Sequence, residues 1–558
     1  MMKKTLIGAF ALMLLSACSN DEPAENQPTM DNDNAYVTIN LLDVGTPGLG
    51  RGTDGDFEQG TDDENAVTSA VFYFYNANGT YAQHASRTIE TWTDQSTNVD
   101  KIGSTTVMLT GLKDKEYPKY VVAILNPFNA DAYKDLTIDE LKEKIVNDYK
   151  NSSSKFVMTN STYNNGDSKS GYFATVLTAS NFKYEKPVSQ TIDPDAVNIY
   201  VERLACKVTI TSSLDLGTAY KIGSYDVYNT STGATEPQDV YMKVLGWGLN
   251  ATTKTSYVMK NVPDWSTTYG TFTWSDPANF RSYWAKSTNY GTGDYPENYA
   301  ATTTGTPIAN RTLKYVKWDD LTSLLGGVEY CTENTNTADI LKASKKFNST
   351  VTHVLLKAQI VKSDGTAWEL VNYNGTLYTK DGFLARAANA LKTEAYKVTG
   401  STYTPIAPAD LEINYKYDGK VGVKLTTTAE GYTWSSTSGS ITSITATALN
   451  TKLDALTPAG SEAEYYKDGN MYYCIPIEHL RGGKVSFTNA GETNVEEADY
   501  GVVRNHSYLL TITEVKNLGS AVYDTGEPIV PPTTTPTYHI GAKINILAWK
   551  LVKQDVKL

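Results

Sequence analysis

The chain contains many short runs in which apolar and polar residues alternate, and these runs predict a protein built mainly of β-strands. The first run, AYVTINLLDV at residues 35–44, places Val37, Ile39 and Leu41 on one face and polar residues on the other. Another strong run, VVRNHSYLLTITEV, occupies residues 502–515. We expect a strand at both places, each with one face turned to a core.

The segment NIYVERLACKVTI at residues 198–210 predicts one further strand. Its buried face would carry four apolar residues, namely Leu204, Cys206, Val208 and Ile210. The polar sequence SSLDLGTAY follows, so we place a domain boundary near residue 212.

Short helices are predicted at three places between the strands. Thr137 and Glu140 have the spacing of a capping box in front of an amphipathic run. Weaker helical patterns follow at residues 336–347 and 383–397, which read NTADILKASKKF and FLARAANALKTEAYK. Helices should therefore be few and short.

The composition agrees with a β-rich protein and argues against one class of partner. The chain has 558 residues, enough for roughly two to four domains with cores of their own. Its 39 tyrosines favour strands, because aromatic side chains pack well on a pleated surface. The formal net charge of −13 argues against nucleic acid as a partner, since binding to phosphates requires clustered Lys and Arg.

No residue pattern in the sequence points to catalysis or to a metal site. The five histidines are scattered singly, without the spacing of zinc ligands, and the common nucleophile and phosphate-loop motifs are missing. Six carboxylates follow the first strand, and we interpret them as a solvated acidic loop: Asp54, Asp56, Glu58, Asp62, Asp63 and Glu64. We expect neither an enzyme nor a metalloprotein.

Three of the four cysteines lie in the body of the chain, at Cys206, Cys331 and Cys474, so at most one disulfide can form between them. Cys206 and Cys474 lie within strand-like apolar sequence. A thiol in such a place behaves as a small hydrophobic side chain, so we predict that these two are buried and structural.

The N-terminal residues have the layout of a bacterial lipoprotein signal. Lys3 and Lys4 precede a short apolar run that ends in Leu15-Ser16-Ala17-Cys18, which is typical of a lipobox. We predict a signal peptide at 1–17 and a lipid on Cys18, the sole covalent group expected; the alternative is an ordinary signal peptide. The polar, acidic residues 19–34 predict a flexible tether.

Between residues 5 and 86 the chain has no Lys and no Arg other than Arg51. It lies in a glycine-rich loop between Gly50 and Gly52, where a protease that cuts at basic residues would find a single site. The alternative interpretation is a solvated loop charge.

The C-terminal residues combine a linker with an unusually apolar strand. Residues 526–537, GEPIVPPTTTPT, predict an extended, semi-rigid linker. The strand that follows becomes apolar on both faces near Trp549, so both faces must be covered. Either this strand completes its own domain, or it enters a neighbouring molecule.

Four segments together resemble the fimbrillins of the Bacteroidales: the lipobox, VERLACKV, GVVRNHSYLLTITEVKNLG and the terminal NILAWKLVKQDVKL. The similarity is greatest to the shaft subunit of a minor fimbrium, and residues 213–470 match only loosely. The resemblance implies an all-β fold of two tandem transthyretin-like Greek-key β-sandwich domains with a few short helices. Such subunits form a type V pilus on the cell surface.

The resemblance also implies how the parts of the chain are used. The precursor is an outer-membrane lipoprotein, and an arginine-specific protease cuts it between Arg51 and Gly52. The implied parts are a propeptide at 18–51 with the removable first strand, an N-terminal domain at 52–212, a C-terminal domain at 213–525, a linker at 526–537 and a donor strand at 538–558.

Removal of the strand that carries Val37, Ile39 and Leu41 would open a groove for the C-terminal strand of another copy. The donor strand would supply five apolar side chains: Ile544, Ile546, Leu547, Trp549 and Leu551. The implied partners are copies of this chain joined head to tail, accessory tip and anchor subunits, and ligands on host or bacterial surfaces.

Two other functions remain open at this stage. An anchor subunit of the same fimbrium would keep its lipidated N-terminus uncut. A glycan-binding surface lipoprotein of a polysaccharide-uptake system would also be acidic and β-rich, and its nine Trp and 39 Tyr could stack on sugars. Aromatic side chains in a sandwich more often pack in the core, however.

Overall fold

The computed structural model is mainly β-sheet with a few short helices, which confirms the predicted fold class. It describes residues 35–43, 60–89, 93–94, 101–112, 116–161, 173–184, 194–262, 268–269, 272–273, 284–293, 295–342, 347–479, 495–531 and 550–557. The predicted signal peptide and tether lie outside the described residues.

The strands are numbered in chain order. They are β1 (Ala35–Asp43), β2 (Ser69–Tyr75), β3 (Tyr81–Thr88), β4 (Thr93–Asp94), β5 (Lys101–Leu109), β6 (Tyr120–Leu125), β7 (Ile145–Val146), β8 (Met158–Asn160), β9 (Thr175–Val176), β10 (Val197–Arg203), β11 (Cys206–Ser212), β12 (Tyr220–Asn229), β13 (Ala234–Asn250), β14 (Thr252–Thr253), β15 (Ser256–Tyr257), β16 (Thr268–Tyr269), β17 (Phe272–Thr273), β18 (Leu313–Lys314), β19 (Val328–Cys331), β20 (His353–Val361), β21 (Leu370–Tyr373), β22 (Thr376–Tyr378), β23 (Tyr396–Thr399), β24 (Thr402–Pro405), β25 (Leu411–Tyr417), β26 (Lys420–Leu425), β27 (Trp434–Ser435), β28 (Ser443–Ile444), β29 (Ala463–Tyr466), β30 (Asn470–Pro476), β31 (His506–Glu514), β32 (Ser520–Ala521) and β33 (Lys550–Lys557).

The α-helices are short, and the longest of those described has 12 residues. They are α1 (Asp62–Asn65), α2 (Ile138–Lys142), α3 (Ala301–Thr304), α4 (Ala338–Lys342), α5 (Phe347–Thr350), α6 (Lys380–Leu391), α7 (Thr427–Glu430) and α8 (Ala446–Asp454). Thr137 and Glu140 form the predicted capping box at α2, and the two weaker helical patterns contain α4 and most of α6. No helix in the described ranges has the length and apolar character needed to span a membrane.

The N-terminal sandwich is a nine-stranded sheet. Eight of its strands pair in the order β3-β2-β6-β8-β10-β1-β5-β4, and the ninth, β9, pairs with β6. Side chains join its distant strands: Arg87 on β3 donates to the carbonyl of Thr106 on β5, and Gln83 exchanges two hydrogen bonds with the Thr110 backbone. The sheet therefore closes around one core. Inward residues of β1, β2, β5, β6 and β10 fill that core.

The C-terminal sandwich packs two sheets face to face. One sheet has the order β19-β11-β31-β33, and the other runs β25-β26-β29-β21-β22-β12-β13-β20-β30-β32. The core between them takes alternate residues from each, such as Val208 on β11, Leu510 on β31, Met242 on β13 and Leu356 on β20. Helices α6 and α8 cover the outer strands of the larger sheet over a second core.

Both sandwiches use the same pairing of their first strand, although the sequence shows no repeat. In the N-terminal sandwich, β1 is parallel to β10 and antiparallel to β5. In the C-terminal sandwich, β11 is parallel to β31 and antiparallel to β19. Each first strand thus lies beside a strand from late in the same sandwich: β10 in the first case and β31 in the second. The predicted transthyretin-like Greek-key assignment remains a prediction.

The predicted single strand at 198–210 is wrong, because the segment forms two strands in different sheets. β10 ends at Arg203 in the N-terminal sandwich and β11 begins at Cys206 in the C-terminal one. Leu204 packs in a different core from Cys206. The change of sheet therefore falls ahead of residue 212, where we placed the boundary.

The first half of the predicted linker is packed onto the C-terminal sandwich. Ile529 and Val530 are buried, the Ile529 N–H donates to the Val316 carbonyl over 2.8 Å, and its carbonyl accepts from Asn250 over 2.9 Å. The hydroxyl of Tyr415 donates to the Glu527 carboxylate. The fixed part of the chain thus extends to Pro531, and residues 532–537 lie outside the described residues.

Replacing Asn250 by alanine should lower the free energy of unfolding by about 2 kcal/mol or more. The Asn250 side chain donates to Ile529 and accepts from the Val316 N–H, so alanine leaves two buried backbone groups without their partner. Urea unfolding checks this, with Asn229→Ala in an exposed turn as the matched control. Equal effects of the two substitutions would contradict the assignment.

Candidate functional site

The strand β1 lies in the middle of the N-terminal sheet and is held on both edges. All nine residues pair with β5, from Ala35 opposite Leu109 to Asp43 opposite Lys101. On its other edge it pairs with β10 from Ile39 to Asp43. A strand in this place satisfies the backbone groups of two neighbours, and its loss would leave two open edges that face each other.

The predicted inward face of β1 is completely buried. Val37, Ile39 and Leu41 each have 0% of their surface exposed and lie in one core. On the opposite face, the amide of Asn40 donates to Asn198 on β10 near the surface. The structure therefore brings the three sequence-predicted residues together, as the alternation requires.

The end of β1 and the residues from Gly60 onward meet at the same end of β10. Asp43 is opposite Val201, and Arg203, two residues further on, donates from Nε to the carbonyl of Glu64 over 2.9 Å. The segment 44–59, which includes Arg51 and lies outside the described residues, therefore joins two points that are close together. A cut in it would leave β1 attached only by strand pairing and packing.

The interpretation of all six carboxylates as a solvated loop is wrong for Glu64. This residue is 2% exposed, and its carboxylate contacts Nζ of Lys207 on β11 at 3.0 Å and accepts from the hydroxyl of Tyr330 on β19 at 2.5 Å. Thr61 and Glu64 also form a capping box at α1. Glu64 thus links the start of the N-terminal sandwich to two strands of the C-terminal one.

The environment of Glu64 favours its charged form. Burial alone would raise the pKa of this carboxyl, but hydrogen bonds from Tyr330 and Thr61 and the charge of Lys207 outweigh burial and lower the pKa. Glu64 is therefore ionised at neutral pH, where it forms a buried ion pair with Lys207.

Arg203 connects the same segment to the chain in front of β31. Its guanidinium donates to the Asn65 side chain, and its Nη1 donates to Oδ1 of Asn505 over 3.1 Å. The Asn65 side chain in turn donates to the carbonyl of Gly60 over 2.8 Å. The short turn from Gly60 to Asn65 is therefore fixed at several points.

Two further buried ion pairs lie close to this junction: Glu202 with Lys260 at 2.9 Å, and Glu333 with Arg504 at 2.7 Å. We call the junction the seam; its residues are Glu64, Glu202, Arg203, Lys207, Lys260, Tyr330, Glu333, Arg504 and Asn505. Sequence reasoning missed the seam. The available signal was the set of charged residues in otherwise apolar VERLACKVTI, together with the capping-box spacing of Thr61 and Glu64.

The C-terminal strand pairs with its own sandwich. β33 runs parallel to β31, with Leu551 opposite Ser507 and Val556 opposite Ile512. It occupies the edge of the smaller sheet, on the side of β31 away from β11. Of the predicted donor residues, only Leu551 belongs to the described strand.

The other predicted site residues lie outside the described residues: Cys18, Arg51, Gly52, Ile544, Ile546, Leu547 and Trp549. Cys206, Cys331 and Cys474 are buried and free, and burial raises the pKa of the Cys206 thiol. Within the described ranges, no group of three or more His, Cys, Asp or Glu side chains is arranged to hold a metal ion.

Replacing Ile39 by alanine should lower the free energy of unfolding of the uncut chain by about 2–5 kcal/mol, because it leaves a cavity in a closed core. Asn40→Ala is the matched control: its side chain points to the other face, and its loss should cost less than about 1 kcal/mol. Urea unfolding followed by tyrosine and tryptophan fluorescence measures both. Similar values for the two variants would contradict the buried position of β1.

Replacing Glu64 by glutamine should destabilise the chain at neutral pH and have less effect in acid. A carboxyl whose pKa is lowered by folding stabilises the native state above its usual value near 4.5, and this contribution is lost as the pH falls below it. The difference between the unfolding free energies of the parent chain and Glu64→Gln should therefore be constant from pH 8 to 6 and shrink below about pH 4.5. A difference that grows on acidification would contradict the assigned ion pair.

The C-terminal region of the chain is similar to one protein family. Residues 464–555 match the model of the C-terminal region of fimbrillin, the major fimbrial subunit protein type IV. No curated protein matches the chain.

Several solved structures are similar at low identity. A protein assigned to cell adhesion from Parabacteroides distasonis ATCC 8503 has 12% identity and a TM-score of 0.36, over 93% of this chain and 99% of that one. A fimbrilin from Porphyromonas gingivalis W83 has 12% identity and a TM-score of 0.32, over 93% and 96%. The C-terminally truncated tip fimbrial protein Mfa3 from Porphyromonas gingivalis has 10% identity and a TM-score of 0.29, over 70% and 98%.

The family match covers β30, β31, β32 and most of β33. It confirms, for residues 464–555, the resemblance to fimbrillins predicted from the sequence.

Proposed function

We propose that the chain is a structural subunit of the shaft of an adhesive fimbrium at the cell surface. It is exported as a lipoprotein on Cys18, cut after Arg51 and polymerised by exchange of strands between copies. The observation that carries the fimbrial role is the match of residues 464–555 to the major fimbrial subunit family. A major fimbrial subunit has a structural role and not an enzymatic one.

The position of β1 supports strand exchange as the mode of assembly. Cutting after Arg51 removes residues 1–51 and leaves 507 residues, which is 558 minus 51. β1 is then held by no covalent bond to the body. Its departure exposes the edges of β5 and β10 and a row of core side chains between them, which is a surface that accepts another strand.

The energy of this core explains why the replacement must be apolar. Val37, Ile39 and Leu41 are fully buried, and burial of three such side chains is worth roughly 5–9 kcal/mol. An inserted strand must at least match this contribution to displace β1. The terminal segment brings five apolar side chains, at Ile544, Ile546, Leu547, Trp549 and Leu551.

The packing of residues 526–531 limits the geometry of the polymer. Only seven peptide steps separate Pro531 from residue 538, at which the donor segment begins. These steps reach at most about 24 Å. The groove of the next copy must therefore begin close to the point where Pro531 leaves the C-terminal sandwich, which favours directly stacked subunits.

Head-to-tail insertion of this kind uses two different surfaces of each copy and does not close into a ring, so it builds a filament. A shaft subunit needs both a removable first strand and a donor strand, and this chain has a candidate for each. Accessory tip and anchor subunits and surface ligands complete the proposed set of partners.

Brief trypsin treatment of the full chain should give one dominant cut after Arg51 and a ladder of polymers. Mass spectrometry identifies the new N-terminus, and electrophoresis without boiling shows the ladder, since strand-exchanged polymers separate slowly. Arg51→Ala should stay uncut and monomeric. Deletion of 538–558 should allow the cut but prevent the ladder.

The control for the protease site is Lys134→Ala, which removes an exposed basic side chain of the N-terminal sandwich and should leave both cut and ladder intact. A cut chain that stays monomeric, or a chain with no preferred cut, would contradict the shaft function. An uncut chain that binds polysaccharides would favour the glycan-binding alternative.

A further inference from the structure

The turn from Gly60 to Asn65 belongs structurally to the seam and not to β1. The groups that hold it are Arg203 at the end of β10, Lys207 on β11 and Tyr330 on β19. β10 remains in the body when β1 leaves, and the other two strands belong to the C-terminal sandwich. The contacts of the turn therefore do not depend on β1.

We propose that this turn is a clamp, with Glu64 as its central positioning residue, that fixes the processed N-terminus to the seam while β1 is exchanged. The clamp rests on the proposed function in that it acts on the cut chain. After the cut, only the residues between Gly52 and Gly60 are left without this attachment. β2 and the rest of the N-terminal sandwich stay in place.

The bonding of Glu64 goes beyond what its turn requires. The turn around Thr137 and Glu140 is a matched case in the same chain, since it has the same capping box. The Glu140 carboxylate accepts from the N–H and the hydroxyl of Thr137, in its own turn. Glu64 makes the equivalent bond to Thr61 at 2.7 Å and in addition pairs with Lys207 and Tyr330.

The clamp lies at the end of the groove where the loop with Arg51 begins and ends. The last residue of β1, Asp43, is opposite Val201, and the clamp binds Arg203 on the same strand. A strand inserted in the direction of β1 would end beside the clamp. The clamp thus marks one end of the groove and holds that end to the C-terminal sandwich.

Hydrogen exchange followed by mass spectrometry tests the clamp on the full chain in its uncut and cut forms. Residues 60–65 should keep their protection after the cut, because the Asn65 N–H bonds Thr61 and the seam holds the turn. In the cut chain, Glu64→Gln should lower this protection about tenfold or more, since it removes a charge-assisted buried contact. Tyr330→Phe, which removes one hydroxyl, should have a smaller effect in the same segment.

Glu140→Gln is the matched control and should lower protection only around residues 137–142. The cut form is made with the recognition site of a specific protease, inserted between residues 51 and 52, so that cutting does not depend on Arg51. If the natural site at Arg51 is not cut, that result counts against the proposed function and leaves the clamp untouched. The clamp is overturned if residues 60–65 lose their protection in the cut parent chain, or if Glu64→Gln leaves the exchange of that segment unchanged.

Discussion

The parallel pairing of a sandwich's first strand with a strand from late in the same sandwich is the constraint on which both halves of this protein depend. β1 and β11 each lie between such a parallel neighbour and an antiparallel neighbour from the middle of the sandwich's sequence. A strand in this place forms its full set of hydrogen bonds only when both neighbours are present. It therefore joins parts of the chain that are far apart in sequence.

The two first strands differ in how they are joined to the body. β11 follows β10 after two residues and carries Lys207 into the seam, so it is covalently continuous and electrostatically fixed. β1 is followed by the segment 44–59, which connects it to the clamp at the same end of β10. The same topology thus gives one permanent strand and one that a single cut would release.

Much of the fold could be predicted from local patterns, because its strands alternate cleanly. β1 and β31 lie where period-two alternation predicts them, and the capping box at Thr137 marks a helix. The junction at Arg203 was missed although a signal was present. The apolar residues are odd-numbered at Val197, Ile199 and Val201 and even-numbered at Leu204, Cys206, Val208 and Ile210, and such a slip marks the end of one strand.

The seam itself could not be predicted from the sequence. Glu64, Lys207 and Tyr330 are far apart along the chain, and a carboxylate in an acidic stretch looks solvated until its partners are known. Ile529 and Val530 are a similar case, because two apolar residues among prolines and threonines resemble a linker. Their burial and the bonds of Ile529 to Val316 and Asn250 show that they are fixed.

In the proposed strand exchange, the groove must keep its shape when β1 leaves, because a collapsed groove would have to be rebuilt by each incoming strand. Two features of the body oppose collapse. The outer face of β2 and β6 packs on Leu204, Val258 and Met259, so these strands are covered on both sides. The ion pairs of the seam are buried, and salt screens buried pairs much less than exposed ones. An open groove held in this way is preorganised, and an incoming strand then loses less of its binding energy to the ordering of its partner.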